Sequence, residues 1–154
     1  MISVAFLTDR PADYDALVIP VARDGLGKLD LPLEQADLVM QSAERLDFSG
    51  GAGALSGTWV SEGGRLVYVL LLGIGAGDEA SLMKAGGKLV TRLKGQNVAR
   101  ALLDATTLDG NAAALIAQGA RLRSWKIARY KTREEKGVAF EALDIVGGDD
   151  GQVG

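Results

Sequence analysis

Continuous apolar runs that alternate with segments of helical period constrain the fold of this chain more than any other feature. The runs ALVIPV (16–21) and VYVLLL (67–72) lack the polar alternation of a half-exposed strand, so strands at Leu17 to Val21 and Val67 to Leu72 are predicted to be buried on both faces. Other short apolar runs predict further strands, at Ile2 to Leu7, Thr58 to Val60, Val98 to Leu103 and Val138 to Val146.

Three segments between these strands place apolar side chains at helical spacing. In segment 34–47 the predicted buried face carries Ala36, Val39, Met40, Ala43 and Leu46, and in segment 78–93 it carries Leu82, Ala85, Leu89 and Leu93. The third helix would be capped by Asp109, and its predicted buried face carries Leu115, Ile116, Gly119 and Leu122. Strands that alternate with helices need crossover connections, so we predict an α/β layered fold. All three prolines fall at or before Pro32 and are expected in turns or at a strand edge.

Length and composition indicate one domain with limited catalytic chemistry. The 154 residues predict a single domain over 1–146, with the Gly/Asp-rich residues 147–154 as a flexible tail or the start of a linker. The chain has no cysteine and no histidine, which excludes disulfides, thiolate metal sites and the commonest general base. Asp149 and Asp150 could hold a cation, but two adjacent carboxylates without further oxygen ligands make a poor site, so a solvated tail is predicted.

The apolar runs also bear on location. The start MISVAFLTDR has no basic region before its apolar residues, so it is interpreted as a first strand and not as a signal peptide. No apolar run reaches the roughly 18 residues that a membrane span requires. We therefore expect a cytoplasmic protein.

The stretch LLLGIGAGDE (70–79) raises the question of a phosphate site. Gly75 to Ala80 fits the pattern Gly-x-Gly-x-x-Gly/Ala, which makes Gly73, Gly75, Gly77 and the later Asp104 weak candidates for nucleotide binding. Asp78 and Glu79 would stand at the helix start and repel a phosphate there. A tight strand-to-helix turn with an acidic cap is the favoured interpretation. The stretch SGGAGALSG (49–57) is predicted to be a flexible loop, and it lacks the Gly-Lys-Ser/Thr ending of a P-loop.

The segment RLRSWKIARYKTREEK (121–136) is the most distinctive in the chain. It holds seven of the 17 basic residues, although the whole chain has a net charge of −3. Aromatic residues and arginine are enriched at protein contacts, so we predict a partner contact made by Trp125, Arg129, Tyr130 and Lys131. A solvated helix end remains an alternative. A nucleic-acid contact through the same residues is disfavoured, because the sequence pI is about 5.0.

Taken in order, the pieces ISVAF, DALVIPVARDG, LLLGIGAGDE and GARLRSWKIARYKTREE resemble the N-terminal domain of the leucyl aminopeptidase (cytosol aminopeptidase) family over roughly residues 1–146. The resemblance implies a macro-domain-like, three-layer fold, with a mixed sheet sandwiched between helices. Macro domains that bind ADP-ribose carry an Asn-rich loop after the strand that here reads ALVIPV. This chain has PVARDG instead, which removes the expected ribose contacts.

The resemblance further implies a metal-dependent aminopeptidase whose two divalent metals, Zn or Mn, belong to a catalytic domain absent from this chain. No catalytic residue and no metal ligand carries over, so this chain alone is expected to have no enzyme activity and no cofactor. Its expected role is packing, assembly and control of access to the active site. Its expected partners are its own catalytic domain and neighbouring subunits, with no membrane. The alternative is a free-standing module that binds a nucleotide or an ADP-ribose-like ligand.

Overall fold

The computed structural model describes residues 2–9, 14–28, 31, 33–130 and 140–147. Their strands are β1 (Ser3–Leu7), β2 (Ala16–Ala22), β3 (Leu55–Glu62), β4 (Arg65–Gly75), β5 (Arg100–Ala105) and β6 (Ala142–Gly147). The α-helices are α1 (Ala36–Arg45), α2 (Glu79–Lys94) and α3 (Gly110–Tyr130), and a short 3-10 helix spans Leu26–Lys28.

The strands form one mixed six-stranded sheet in the order β1-β6-β5-β2-β4-β3. All neighbours pair in parallel except β3, which runs antiparallel to β4 at one edge. Two interior strands, β2 and β4, are buried along most of their length, as the continuous apolar runs predict. Parallel strands of this kind require helices on both faces of the sheet.

Two apolar cores, one on each face, give the sheet its three layers. On one face α2 and α3 pack side by side, and Leu89 and Ile116 belong to the same apolar core as strand residues such as Leu70. On the other face α1 contacts β3, and its Val39 and Ala43 belong to the same apolar core as strand residues such as Val69. The predicted fold class, a mixed sheet between helices, is therefore confirmed.

Several strands begin at other residues than predicted, because pairing with neighbouring strands decides where a strand begins. β3 begins at Leu55, so the predicted loop 49–57 gives its last three residues to a strand that pairs with Leu70 to Leu72. β5 begins later than predicted, at Arg100, and β6 begins at Ala142. Residues 138 and 139 of the predicted last strand, and residues 148–154 of the predicted tail, lie outside the described residues.

The prediction that Leu46 and Leu122 are buried is wrong. Leu46 is exposed because α1 ends at Arg45, which leaves Leu46 as the cap residue. Leu122 is exposed because the buried face of α3 consists mainly of small residues, among them Ala113, Ala117, Ala120 and Ser124. The predicted face of α2 is confirmed, since all four of its residues are buried.

Pro20 also differs from expectation, since it lies inside β2 and not in a turn. The pairing of β2 with β5 covers only Ala16–Val18. The missing N–H of Pro20 therefore falls beyond that ladder, which is why proline is tolerated in a central strand.

Candidate functional site

The glycine-rich stretch forms the predicted strand-to-helix turn. β4 ends at Gly75, which has a φ of +59°, and Gly77 follows with a φ of +80°. Side chains rarely adopt this left-handed conformation, so glycine is needed at both positions. Asp78 then occupies the cap position and α2 begins at Glu79.

All three glycine N–H groups of this turn are already used inside the protein. Gly73 N donates to Ala54 O at 2.8 Å, Gly75 N to Gly50 O at 2.9 Å, and Gly77 N to Ile74 O at 3.0 Å. A phosphate cradle requires backbone N–H groups that point at the ligand. These groups are committed to the chain itself, so the geometry gives no support to a nucleotide site here.

The loop of residues 50–54 lies directly over the end of β4. A Cβ atom on Gly73 would stand 2.1 Å from Gly51 O, well inside contact distance. Gly53 N donates to Gly73 O at 2.9 Å, which completes the attachment. The predicted flexible loop is thus bound to the sheet by backbone hydrogen bonds, and glycine at 73 is what allows its close approach.

Asp78 makes the start of α2 acidic. Ser81 Oγ donates a hydrogen bond to Asp78 Oδ1. This bond, together with backbone hydrogen bonds, holds the pKa of Asp78 below its usual value of 3.8. The carboxylate is therefore negative at neutral pH, where it faces the positive end of the helix dipole and disfavours a second anion.

Asp104 lies near the carboxyl end of β5 and its carboxylate serves the next turn. Asp104 Oδ1 accepts hydrogen bonds from Thr106 N at 3.1 Å and from Thr106 Oγ1 at 2.7 Å. Strand β2 lies between β5 and β4 in the sheet, so it separates Asp104 from the glycine turn. The glycine turn and Asp104 thus lie at the same end of the sheet, where the parallel strands β4 and β5 end, but the carboxylate of Asp104 stabilises its own turn.

Helix α3 carries the predicted partner contact, and its inner face fixes its orientation. Ile116 and Ala120 are fully buried against α2 and the sheet. Ser124 Oγ accepts a hydrogen bond from Ile2 N at 2.9 Å. These contacts turn Leu122 and Trp125 outward, where their exposed fractions are 45% and 43%. Positions three apart on a helix are neighbours, so the two side chains form one exposed apolar pair.

Basic side chains from two helices lie beside Leu122 of this pair. A shallow groove between α2 and α3 is lined by Lys84, Gly87, Leu122, Arg123 and Lys126. Arg123 Nε donates to Thr91 Oγ1 at 3.2 Å, which links the two helices across the groove. Within the described part of the chain, no carboxylate lies within ion-pair distance of these basic groups. We call Leu122, Arg123, Trp125 and Lys126, together with Lys84 and Lys88 of α2, the α2/α3 surface.

The other predicted contact residues are only partly placed. Arg129 and Tyr130 are the last turn of α3, and Lys131 lies outside the described residues. The sequence did not indicate that Lys84 and Lys88 share a surface with 121–136. The glycines at 86, 87 and 119 were the available signal, because small residues let two helices pack closely.

The donor set does not support a resident metal. Among the described ranges, no group of three or more Asp, Glu, His or Cys side chains could hold a metal ion. The two metals implied by the family resemblance therefore have no set of ligands in this part of the chain. Of the helices that the structure describes, none is long and apolar enough to cross a membrane.

Comparison with protein families and known sequences agrees on one relationship. Residues 21–134 match the profile of the cytosol aminopeptidase family, N-terminal domain. A probable cytosol aminopeptidase of Brucella melitensis is 30% identical over 137 residues, which are 84% of this chain and 27% of that protein. One from Nitrobacter winogradskyi is 29% identical over 108 residues, 66% of this chain and 22% of that protein. This chain thus spans about a quarter of the length of these relatives.

Solved structures share the fold. A mutant of tomato leucine aminopeptidase superposes with a TM-score of 0.71 and 24% identity, over 96% of this chain and 32% of that chain. The bottromycin maturation enzyme BotP, in complex with Mn, superposes with a TM-score of 0.56 and 17% identity, over 85% of this chain and 26% of that chain. At these identities the likeness concerns the fold alone.

Proposed function

This chain belongs to the cytosol aminopeptidase family, as its N-terminal domain, and from that premise we propose that it is the noncatalytic domain of a metal-dependent leucyl aminopeptidase. The extent of the match supports this proposal, since it covers 22–27% of the length of relatives named as probable cytosol aminopeptidases. The remaining length of such relatives leaves room for a separate catalytic domain, which would hold the two divalent metals. We place the enzyme in the cytoplasm.

The work of this domain is assembly, through the α2/α3 surface. The observation that carries the proposal is the exposure of Trp125 beside Leu122 on a helix whose other face is fully packed. Exposed aromatic side chains near arginine are typical anchors of protein contacts. The surface would bind the enzyme's own catalytic domain or a neighbouring subunit, and so shape access to the active site.

Anchor residues and rim residues of this contact should contribute different free energies to assembly. Trp125 and Tyr130 are assigned as anchors that the partner buries, with Arg129 and Lys131 at the rim. Burial of an aromatic anchor contributes about 2 kcal/mol or more to a protein contact. A solvated rim charge contributes less than about 1 kcal/mol.

The test is the stability of the full-length oligomer against dilution. We expect Trp125→Ala in the full-length enzyme to weaken assembly by about 2 kcal/mol or more, measured by sedimentation velocity over a dilution series. Leu122→Ala should weaken it in the same direction. Lys131→Ala should change it by less than about 1 kcal/mol.

A matched control lies on the opposite face of the sheet. Leu38 of α1 is 44% exposed, nearly the same as Leu122. Leu38→Ala removes the same number of atoms from a surface that the proposal leaves free, so the oligomer should be unaffected. The assembly role of the α2/α3 surface would be refuted if the Trp125→Ala oligomer dissociated on dilution just as the wild-type oligomer does. Equal effects of the two leucine substitutions would refute it too.

A further inference from the structure

Among the strands that the structure describes, β3 is the last of the sheet beside β4, and its outer edge has no partner strand among them. Tyr68 of β4 lies opposite Trp59 of β3. Tyr68 N donates a hydrogen bond to Asp15 O, in the segment that leads into β2, so this N–H group points away from β3. On β3 itself, Ser61 N donates to the Gln35 side chain outside the sheet. In an antiparallel ladder, N–H and C=O groups alternate sides along the strand. The main-chain groups of Leu55, Gly57 and Trp59 therefore point outward like those of Ser61.

Contacts of the described residues cover one end of this edge. Gln35 Oε1 accepts from Ser61 N at 2.6 Å, and Glu34 Oε2 accepts from Gly63 N at 3.4 Å. The stretch LSGTW (55–59) has no charge and no proline. Within the part of the chain that the structure describes, no side chain is hydrogen-bonded to its outward groups. Native edge strands are normally protected by charges, prolines or a covering element, and this stretch has none of the three in its sequence or in its described contacts.

An exposed apolar patch lies beside the open edge. Trp59 is 42% exposed and packs against the buried Tyr68, with ring centroids 5.0 Å apart. Leu66 is 67% exposed, and its partner across the ladder is Ser61, two residues beyond Trp59 on the same face. Side chains at alternate positions share a face, so Trp59 and Leu66 form one patch next to the free main-chain groups.

We propose that β3 pairs with β3 of a second copy of this chain, antiparallel and about a two-fold axis at Gly57. In this register Gly57 lies opposite Gly57 of the partner subunit, and Leu55 lies opposite Trp59 of the partner subunit. Each of the three pairs exchanges two hydrogen bonds, about six in all. The uncharged residues 55–59 of one copy lie opposite the same uncharged residues of the other copy. A second copy of this chain is therefore the occupant that fits.

The side chains on the patch face suit this register. Apolar Leu55 and Trp59 meet across the interface, and such cross-strand pairs stabilise a sheet. At the axis, a Cβ on Gly57 would fall 1.8 Å from Tyr68 Oη, so glycine leaves room for the Tyr68 ring. Arg92 donates to Tyr68 Oη at 3.2 Å, which holds that ring in place over Gly57. A contact that uses the same strand on both copies is closed, and stops at the dimer.

The experiment is sedimentation equilibrium of the 154-residue chain up to about 1 mM, since a short strand pair gives a weak dimer. Trp59→Pro removes one outward donor and the exposed indole, while the ladder to β4, which uses the alternate residues, keeps its hydrogen bonds. We expect this variant to dimerise at least tenfold more weakly than the wild type. A urea titration confirms that it remains folded.

A matched control separates this contact from the α2/α3 surface. Trp125→Ala removes a tryptophan that is 43% exposed, nearly the same as Trp59, but lies on α3. It should leave the dimerisation of the 154-residue chain unchanged. A monomeric wild type at about 1 mM, or equal weakening by both tryptophan substitutions, overturns the β3 proposal without touching the assembly role of α3 in the full-length enzyme.

The register has its own test, because the chain contains no cysteine. Leu55→Cys chains mixed with Trp59→Cys chains should cross-link to each other under a mild oxidant, since these positions face each other across the interface. Either variant alone should stay uncross-linked. Cross-linking of Trp59→Cys chains among themselves overturns the two-fold at Gly57. Unfolded chains are excluded by repeating the reaction in urea, where cross-linking should lose its preference for the mixed pair.

Discussion

Two hydroxyl groups on β3 are buried without a hydrogen-bond partner among the described residues. They are Oγ of Ser56, which is fully buried, and Oγ1 of Thr58. Both alternate with Leu55, Gly57 and Trp59, and so face the α1 side of the sheet, like the buried Val60. A buried polar group with no partner destabilises a fold by about 1–3 kcal/mol. The two hydroxyls are therefore a local weakness in an otherwise apolar core.

Removing these hydroxyls should stabilise the chain. We expect Ser56→Ala, and separately Thr58→Val, to raise the free energy of unfolding by about 1 kcal/mol, because each removes an unsatisfied donor with little change in shape. Urea denaturation followed by circular dichroism measures the change. Ser61→Ala on the exposed face of the same strand is the control, and should stay within about 0.5 kcal/mol. A loss of stability in Ser56→Ala would mean that its hydroxyl has a partner.

At the scale of elements, the contact between α2 and α3 depends on two glycines. A Cβ on Gly86 would lie 2.0 Å from Ile116 O, and one on Gly119 would lie 2.1 Å from Met83 O. Each helix thus brings its backbone against the other at a point where no side chain fits. This close approach is what unites the basic side chains of both helices in one surface.

Neighbouring glycines of α2 should respond in opposite directions to the same substitution. Gly86→Ala should lower the free energy of unfolding by about 2 kcal/mol, because the methyl group overpacks against the backbone of α3. At Gly87 the nearest atom to a new Cβ is Arg123 Cβ at 3.8 Å, an ordinary contact. Gly87→Ala should therefore stabilise by up to about 1 kcal/mol through helix propensity. Thermal unfolding of both variants checks this; destabilisation by both would place the helices closer than described.

The elements also show how far sequence patterns reach. The buried strands and α2 could be predicted, because continuous apolar runs and a leucine face are strong local signals. The exposure of Leu122 could not, since the glycines, alanines and a serine that form the true inner face of α3 carry little hydrophobic signal. The start of β3 at Leu55 depends on pairing with β4, and pairing is not encoded in the weakly apolar stretch LSG.

The candidate site was predictable in part for the same reason. Trp125 could be singled out because it lies among basic residues in a chain of net negative charge. Lys84 and Lys88 could not be joined to it, because the groove exists only where α2 and α3 cross. Two of the turn glycines donate their N–H groups to the carbonyl oxygens of Gly50 and Ala54, about 20 residues away in sequence, so their use could not be predicted from the local pattern.

At the scale of the whole molecule, the proposed division of labour predicts that this chain has no peptidase activity of its own. The purified 154-residue chain should release no leucine from a leucyl amide with Mn or Zn added, because its described acidic residues form no group able to hold two metals. A colorimetric assay at high chain concentration measures this. Metal-stimulated release that scales with the chain and survives further purification would contradict it. The full-length enzyme is the positive control.

The first strand of the sheet pairs with the last. Ser3 of β1 lies opposite Ala142 of β6, and β6 is the one neighbour of β1 among the described strands. A ribosome adds about 5–20 residues each second, so β1 leaves the ribosome roughly ten seconds before a partner for it has been made. During translation the amino-terminal strand is therefore an unpaired apolar segment, available to chaperones and to other nascent chains, and the sheet can close only after β6 has emerged.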